Sequence, residues 1–280
     1  MATPGLALIG FMDPNHVEAY LTSACVGAPA TPADREALRL QAVQKRGAAV
    51  PNAGAPEVKD LPKSATTHLK AVEKSNRFAG TVGNAKWSFK LVEIDPLLAY
   101  QFHVELDRST AACAGLAKNP SMDQLLNTCL PTKAAPFNGN FAQLPSGLML
   151  RSSDPNVRLI DVKGEAGAHE TWELRVLLGT SSPLIQVVNW SGRFVVHNGY
   201  HRAFGARLAG ATHIPCIVTE HTSWQDFIAP NMNVFTEAVL KSADPPTVRH
   251  LQDDRAWPVT LTGSDRIIQF NWSELLLPSL

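Results

Sequence analysis

The feature that most constrains the fold is an ordered series of apolar runs and turn signals between Ser182 and Glu220. Two short runs rich in β-branched residues, Leu184–Val188 and Phe194–Val196, are typical of buried strands. The Ser191-Gly192 pair between them favours a tight turn. The segment therefore predicts a β-hairpin.

The same segment continues with the signals of a helix and a further strand. Asn198-Gly199 follows the second run directly, and a helix is predicted from Tyr200 to Ala209, where Gly210 would end it. The apolar run Ile214–Val218 then predicts a closing strand. Strands and a helix in this order, with mixed elements elsewhere in the chain, indicate an α+β fold.

The start of this helix carries residue types that bind anions. The first turn of a helix has free backbone N–H groups and the positive end of the helix dipole. Gly199 lets a ligand approach the backbone closely, Arg202 offers a planar charged fork suited to phosphate, and His201 adds a donor of variable charge. We therefore predict a phosphate-binding site formed by Asn198, Gly199, Tyr200, His201 and Arg202.

A simpler interpretation is that Gly199 only makes a turn and that both basic side chains are solvated. Basic residues at a helix N-terminus oppose the dipole, however, and this favours a compensating anion. The residues by themselves leave both interpretations open.

A family resemblance covers the same stretch. Five segments in this order resemble the ParB N-terminal/sulfiredoxin superfamily: Pro183–Val187, Gly192–Val196, Asn198–Ala203, Ala206–Gly210 and Ile214–Val218. The resemblance implies a bacterial-type, ParB/sulfiredoxin-like small mixed sheet with helices, here with an N-terminal helical extension and extra C-terminal strands. It also implies that Gly199, His201 and Arg202 bind nucleotide phosphates.

Individual residues argue against the sulfiredoxin branch and the partition-protein branch of the superfamily. Tyr200 stands where sulfiredoxins carry their nucleophilic cysteine, and a phenol does not perform that thiol chemistry. His201 replaces one arginine of the double-arginine motif of partition proteins, and no helix-turn-helix pattern follows Glu220. Kinase-like members imply a carboxylate base, for which Glu93 or Asp95 is the candidate by position. The alternative for these two is an exposed carboxylate at a strand end and a helix cap.

The function predicted from these residues is binding of a nucleotide or a phosphorylated small molecule. An NTP-dependent phosphotransferase or hydrolase would use His201, Glu93 and Asp95 as catalytic residues, with ATP or CTP and Mg²⁺ as cofactors. The alternatives are a non-catalytic regulatory or interaction protein and, third, a DNA-associated ParB-like nuclease. No residues are predicted as protein ligands of a metal, and the sequence leaves open whether the chain is an enzyme.

The composition and the apolar stretches of the chain indicate which partners and which location to expect. The chain has 25 Lys and Arg against 25 Asp and Glu, and this balance does not favour nucleic acid as a partner. No apolar stretch approaches the roughly 18 residues needed to cross a bilayer, so no membrane partner and a cytoplasmic location are expected. Cys113 and Cys129 are expected as thiols, with a disulfide as the alternative in an oxidising compartment, and Cys216 as a small buried hydrophobe. The sequence does not indicate an oligomeric state.

The remaining signals suggest a domain organisation. Residues 1–80 are interpreted as a helical, Ala/Pro-rich extension, with helices starting at Asp13-Pro14 and at Thr31-Pro32, the second ending at Gly47. Residues 81–280 would form the ParB/sulfiredoxin-like domain, with an insertion at about 106–147 and a C-terminal elaboration.

Within this domain, alternation predicts a strand over Trp87–Glu93, and Asp95-Pro96 predicts a helix that carries residues up to Val104. A helix is predicted at Met122–Asn127. Further strands are predicted at Val157–Val162, Thr171–Leu178 and Arg266–Trp272.

Overall fold

The structure, a computed structural model, describes residues 2–47, 54–133, 139–152, 154, 157–167, 171–180, 182–228, 233–263 and 266–273. Its contacts divide the chain into two compact units. The first comprises residues 1–133 and 182–262, and the second comprises residues 134–181 and 263–280. Helices and strands both contribute heavily, so the predicted α+β class is confirmed.

Eight α-helices occur among the described residues, all in the first unit: α1 (Pro14–Ala24), α2 (Pro32–Arg46), α3 (Thr66–Glu73), α4 (Asn76–Val82), α5 (Leu106–Ala112), α6 (Met122–Cys129), α7 (Tyr200–Leu208) and α8 (Glu237–Lys241). The predicted caps of the first two are confirmed. Asp13 accepts the amide of His16 at 2.9 Å, and Thr31 accepts the amide of Asp34 at 3.2 Å. Gly47, with φ 74°, ends α2.

Fourteen strands are described: β1 (Ala2–Ala7), β2 (Val58–Lys59), β3 (Lys86–Glu93), β4 (Leu98–Ala99), β5 (His103–Glu105), β6 (Asn140–Leu144), β7 (Gly147–Ser152), β8 (Val157–Ala166), β9 (Trp172–Thr180), β10 (Gln186–Trp190), β11 (Arg193–Asn198), β12 (His213–His221), β13 (Trp257–Thr262) and β14 (Arg266–Asn271). The first unit holds a six-stranded mixed sheet in the order β2-β3-β12-β10-β11-β4. The second unit holds a three-stranded sheet, β14-β7-β6, and the hairpin β8-β9.

The predicted hairpin, helix and closing strand form the centre of the six-stranded sheet. Ser191 and Gly192 both have positive φ, 50° and 85°, as a two-residue hairpin turn requires. Strand β10 is antiparallel to β11 and parallel to β12, and α7 makes the crossover between β11 and β12. The strand–turn–strand–helix–strand order predicted from the sequence is therefore confirmed.

The N-terminal segment is part of the first unit's core. Strand β1 is the middle strand of a second sheet, β13-β1-β5, and Leu8 and Ile9 are completely buried. The contact pattern places no boundary at residue 80. Residues 48–53 of the predicted extension lie outside the described residues.

The helix predicted from Asp95-Pro96 to Val104 is wrong. The segment contains β4 and β5 instead, and β4 pairs in parallel with Val195 and Val196 of β11. The amide of Phe102 donates to the carbonyl of Asn233 at 3.0 Å. Backbone groups distant in the sequence therefore supply hydrogen-bond partners for this segment. This pairing overrides the local helix signal of the segment.

The core of the first unit lies around the six-stranded sheet and the buried face of α7. All four cysteines are free thiols in the structure, and Cys216 is completely buried on β12 as predicted. None of the helices in the described part of the chain has the length and apolar character needed to cross a bilayer.

Candidate functional site

The turn between β11 and α7 is built around Asn198 and Gly199. Gly199 has φ 82°, a left-handed conformation that glycine adopts without strain. A Cβ at this position would lie 2.6 Å from Cγ1 of Ile185. The Asn198 amide nitrogen donates to the carbonyls of Ser182 and Leu184 at 2.9 and 3.1 Å, and its oxygen accepts the Gly199 amide at 2.9 Å. Asn198 therefore holds the turn in place.

Gly199→Ala is expected to lower the free energy of unfolding by about 2–4 kcal/mol, because it adds left-handed strain and a steric clash with Ile185. Gly192→Ala is the matched control, since Gly192 also has positive φ but open space around its Cα. It should cost only the backbone strain, about 1–2 kcal/mol. Urea denaturation measures both variants, and equal losses would contradict the steric part of the explanation.

The first turn of α7 has no internal compensation for the helix dipole. Its N-cap is Gly199, which has no side chain to accept the first amides, and no acidic residue lies in the first turn. His201 and Arg202 occupy this turn instead. The positive end of the dipole and two basic side chains therefore lie together.

Arg202 has one guanidinium nitrogen that is buried without a partner among the described residues. Its Nη1 atom is buried and makes no hydrogen bond to any described residue. Burial lowers the pKa of Arg202; the nearby thiols of Cys129 and Cys113 oppose this shift, whereas the Arg108 guanidinium adds to it. An arginine keeps its charge in proteins, so this charge is partly desolvated.

His201 lies beside Glu105 but does not bond to it. The distance from His201 Nε2 to Glu105 Oε1 is 3.9 Å, too long for a hydrogen bond, and Nε2 is buried with no partner in the described residues. Burial, assisted by Arg108, His103 and Arg202, holds the pKa of His201 well below its usual value. His201 is therefore a neutral imidazole at neutral pH.

Strand β5 and helix α5 bring three further groups to this place. His103 Nδ1 is also buried without a partner among the described residues, and burial, with a contribution from Arg108, lowers the pKa of His103 to about 4. Arg108 Nη1 lies 3.6 Å from Glu105 Oε1. We call His103, Arg108, His201 and Arg202 the His–Arg cluster, and Glu105 is its neighbouring carboxylate.

Close packing of α5 against α7 assembles the cluster. A Cβ on Gly205 of α7 would lie 2.6 Å from the Cys113 sulfur and 2.8 Å from the Ser109 carbonyl oxygen. Ser109 is itself completely buried, and its hydroxyl donates to the Glu105 carbonyl at 2.8 Å. The two helices approach this closely because glycine occupies the contact.

Three nitrogen atoms of the cluster, His103 Nδ1, His201 Nε2 and Arg202 Nη1, are buried and make no hydrogen bond to any described residue. Buried polar groups normally have hydrogen-bond partners, so three unpartnered nitrogen atoms in one cluster require an explanation such as a bound anion or water.

The other predicted site residues lie elsewhere. Tyr200 is buried, its hydroxyl has no partner among the described residues, and burial raises its pKa. The Asp95 carboxylate makes a double hydrogen bond to Arg207, at 2.6 and 3.0 Å. Glu93 accepts the Glu57 amide at 3.1 Å, and its strand β3 is three positions from β11 in the sheet. Neither carboxylate is brought to His201.

His103, Glu105 and Arg108 were not predicted as site residues. They were missed because a helix is predicted for this segment, although Phe102-His103-Val104-Glu105 alternates apolar and polar residues as a strand does. That alternation is the signal that could have placed His103 and Glu105 on one face. Among the described residues, no group of three or more His, Cys, Asp or Glu side chains is arranged to hold a metal ion.

Comparisons with protein-family models, with curated proteins and with solved structures found no match to this chain.

Proposed function

We propose that the protein binds a phosphate-bearing small molecule, such as a nucleotide, at the His–Arg cluster. The observation that carries this proposal is the buried Nη1 of Arg202, which has no partner among the described residues. An unpaired buried charge costs several kcal/mol, roughly 3–5 for a pair broken in a protein interior. A phosphate oxygen accepting from the guanidinium would remove that cost, and arginine matches phosphate geometry.

The course of the chain around the site supports this proposal. The Asn198-Gly199 turn ends β11 and opens α7, and β12 returns next to β10, as the resemblance to the ParB/sulfiredoxin superfamily implies. We propose that the six-stranded sheet is of this type. The amides at the start of α7 would then bind phosphate oxygens together with Arg202.

A catalytic form of this function is an NTP-dependent phosphotransferase or hydrolase. Glu105 would then be the carboxylate beside His201, in place of Glu93 and Asp95. Mg²⁺ would be held mainly by the phosphates of the nucleotide and by water. The non-catalytic alternative is a regulatory protein that only binds the ligand.

Thermal unfolding with ATP, CTP, GTP, ADP and inorganic phosphate, each with and without Mg²⁺, tests binding. A ligand present at 100 times its dissociation constant should stabilise the wild type by about 2.7 kcal/mol, and Arg202→Met should lose this effect. Arg207→Met is the matched control, because Arg207 lies on the same helix but is paired with Asp95.

The control variant should keep the ligand-induced shift. Equal shifts in both arginine variants, or no shift with any ligand, would contradict the proposal. Release or transfer of phosphate by the wild type then separates an enzyme from a regulatory binder. Binding of duplex DNA without nucleotide would instead favour the nuclease alternative.

A further inference from the structure

The distance between His201 and Glu105 suggests how the site responds to its ligand. His201 Nε2 and Glu105 Oε1 are 3.9 Å apart, close enough for an ion pair if the imidazole were charged. Nε2 makes no hydrogen bond to any described residue, so a proton added there would find an acceptor already in place. In the free protein the neighbouring cations oppose this proton.

We propose that an oxyanion bound by Arg202 converts His201 to its charged form, so that the ligand and one proton bind together and His201 forms an ion pair with Glu105. This inference rests on the proposed function, since it needs an anion at Arg202. The proton comes from solvent and is bound at Nε2 of His201, and no covalent bond of the ligand changes.

The groups that face His201 explain the coupling. Arg108 of α5, His103 of β5 and the adjacent Arg202 all disfavour a positive charge on the imidazole, in addition to its burial. Glu105 of β5 favours it but also lies 3.6 Å from Arg108. A bound anion would offset the charges of Arg202 and Arg108, which are the permanent ones. Glu105 would then favour the charged imidazole with less opposition from these two guanidinium groups.

The charge balance indicates the class of ligand. The Arg202 guanidinium is already charged in the free protein, and the added proton would give the first turn of α7 a second positive charge. A phosphate monoester carries close to two negative charges at neutral pH, about −1.5 to −2. The site is therefore matched to a doubly charged tetrahedral oxyanion, in preference to a carboxylate or a halide.

The direction of the pH dependence follows from these charges. The pKa of His201 is depressed in the free protein and is raised when the anion binds. Between these two pKa values, binding takes up a proton, so affinity should fall by up to about tenfold per pH unit as the pH rises. Below the pKa of the free protein the histidine is already charged, and the dependence should vanish.

Isothermal titration calorimetry of the full chain with sodium sulfate tests the inference. Sulfate stays doubly charged and carries no proton of its own, so protons taken up come from the buffer. Titrations at about pH 7 in buffers of different ionisation enthalpy should give an uptake of close to one proton for the wild type. His201→Asn should still bind sulfate, more weakly, with almost no uptake, and Glu105→Gln should take up less than the wild type.

The possible results are distinguishable. Sulfate binding without proton uptake would overturn the coupling but leave the proposed function standing. Uptake that persists in His201→Asn and disappears in His103→Asn would overturn the assignment to His201. If neither sulfate nor phosphate binds, both proposals fail, and water alone serves the unpartnered nitrogens. If a variant does not fold, the affinity of the wild type for sulfate is measured across a pH series instead. That affinity must fall as the pH rises.

Discussion

Arg202→Met is expected to raise the free energy of unfolding of the ligand-free protein by about 1–4 kcal/mol, although it removes anion binding. Nη1 of Arg202 is buried without a partner in the described part of the chain, and burial lowers the pKa of the guanidinium. Methionine keeps a long flexible apolar side chain near Cys113 and Cys129 and removes the partly desolvated charge. Urea denaturation without ligand measures the change.

Arg207→Met provides the contrast on the same helix. Its guanidinium is bound by both oxygens of Asp95, and the two side chains are each 30% exposed. Loss of such a pair should lower the free energy of unfolding by about 1 kcal/mol or less. If Arg202→Met destabilised the protein as much as Arg207→Met, the Arg202 guanidinium would have a structural role. A stabilising Arg202→Met would instead mark a residue kept for function at a cost in stability.

The local parts of this fold could be predicted because their signals are local. A cap, a proline at the first helical position and a final glycine define α2, and alternation of residue types defines β3. The same holds for the turn at Ser191-Gly192 and for the start of α7 at Gly199, where each signal lies within a few residues of the element that it determines.

The segment from Asp95 to Glu105 could not be predicted in this way. Its strands form because β4 pairs with β11 and β5 with β1, both distant in the sequence. The position of Glu105 beside His201 depends on this pairing and on the close contact at Gly205. No periodic pattern in either segment predicts its contact with the other. The sequence therefore indicated Glu93 and Asp95 as candidate carboxylates only by their position near the strand.

The roles within the predicted binding segment also depend on tertiary contacts. Asn198 was predicted as a ligand-binding residue, and its amide is occupied by the carbonyls of Ser182 and Leu184. Arg202 was predicted as a phosphate ligand from its position in the first turn. That its Nη1 atom is buried and unpartnered among the described residues is visible only in three dimensions.

Acid is expected to destabilise the protein well above the range in which carboxylates titrate. Burial lowers the pKa of His103 and of His250 to about 4, and it lowers the pKa of His197 as well. The amide of Thr247 donates to His250 Nδ1 at 3.2 Å, an arrangement that requires a neutral ring nitrogen. These histidines are therefore neutral when folded and become charged when the chain unfolds below their ordinary pKa.

The sign of the effect follows from proton binding. Between about pH 6.5 and about pH 4 the histidines of the unfolded chain bind more protons than those of the folded protein, so the free energy of unfolding falls as the pH falls through this range. For His103 alone, the difference between its usual pKa of 6.5 and about 4 is worth about 2 kcal/mol at pH 5 and roughly 3 kcal/mol at pH 4. The Glu18 carboxylate, whose pKa is lowered by its hydrogen bond to Arg35, stabilises the folded protein above its ordinary pKa of 4.5. This stabilisation is lost only below that value.

Urea denaturation of the wild type and of His103→Gln at several pH values between about 8 and 5 separates these contributions. Glutamine keeps a polar side chain that does not titrate, so the two proteins should differ little at about pH 8. Toward about pH 5 the wild type should lose more stability than the variant, by about 2 kcal/mol. A wild-type stability that stays flat over this range, or equal slopes for both proteins, would mean that His103 is solvated or charged in the folded state. The desolvation of His103 on β5, and with it the His–Arg cluster as described, would then be contradicted. Anion binding and its coupling to a proton both depend on that cluster.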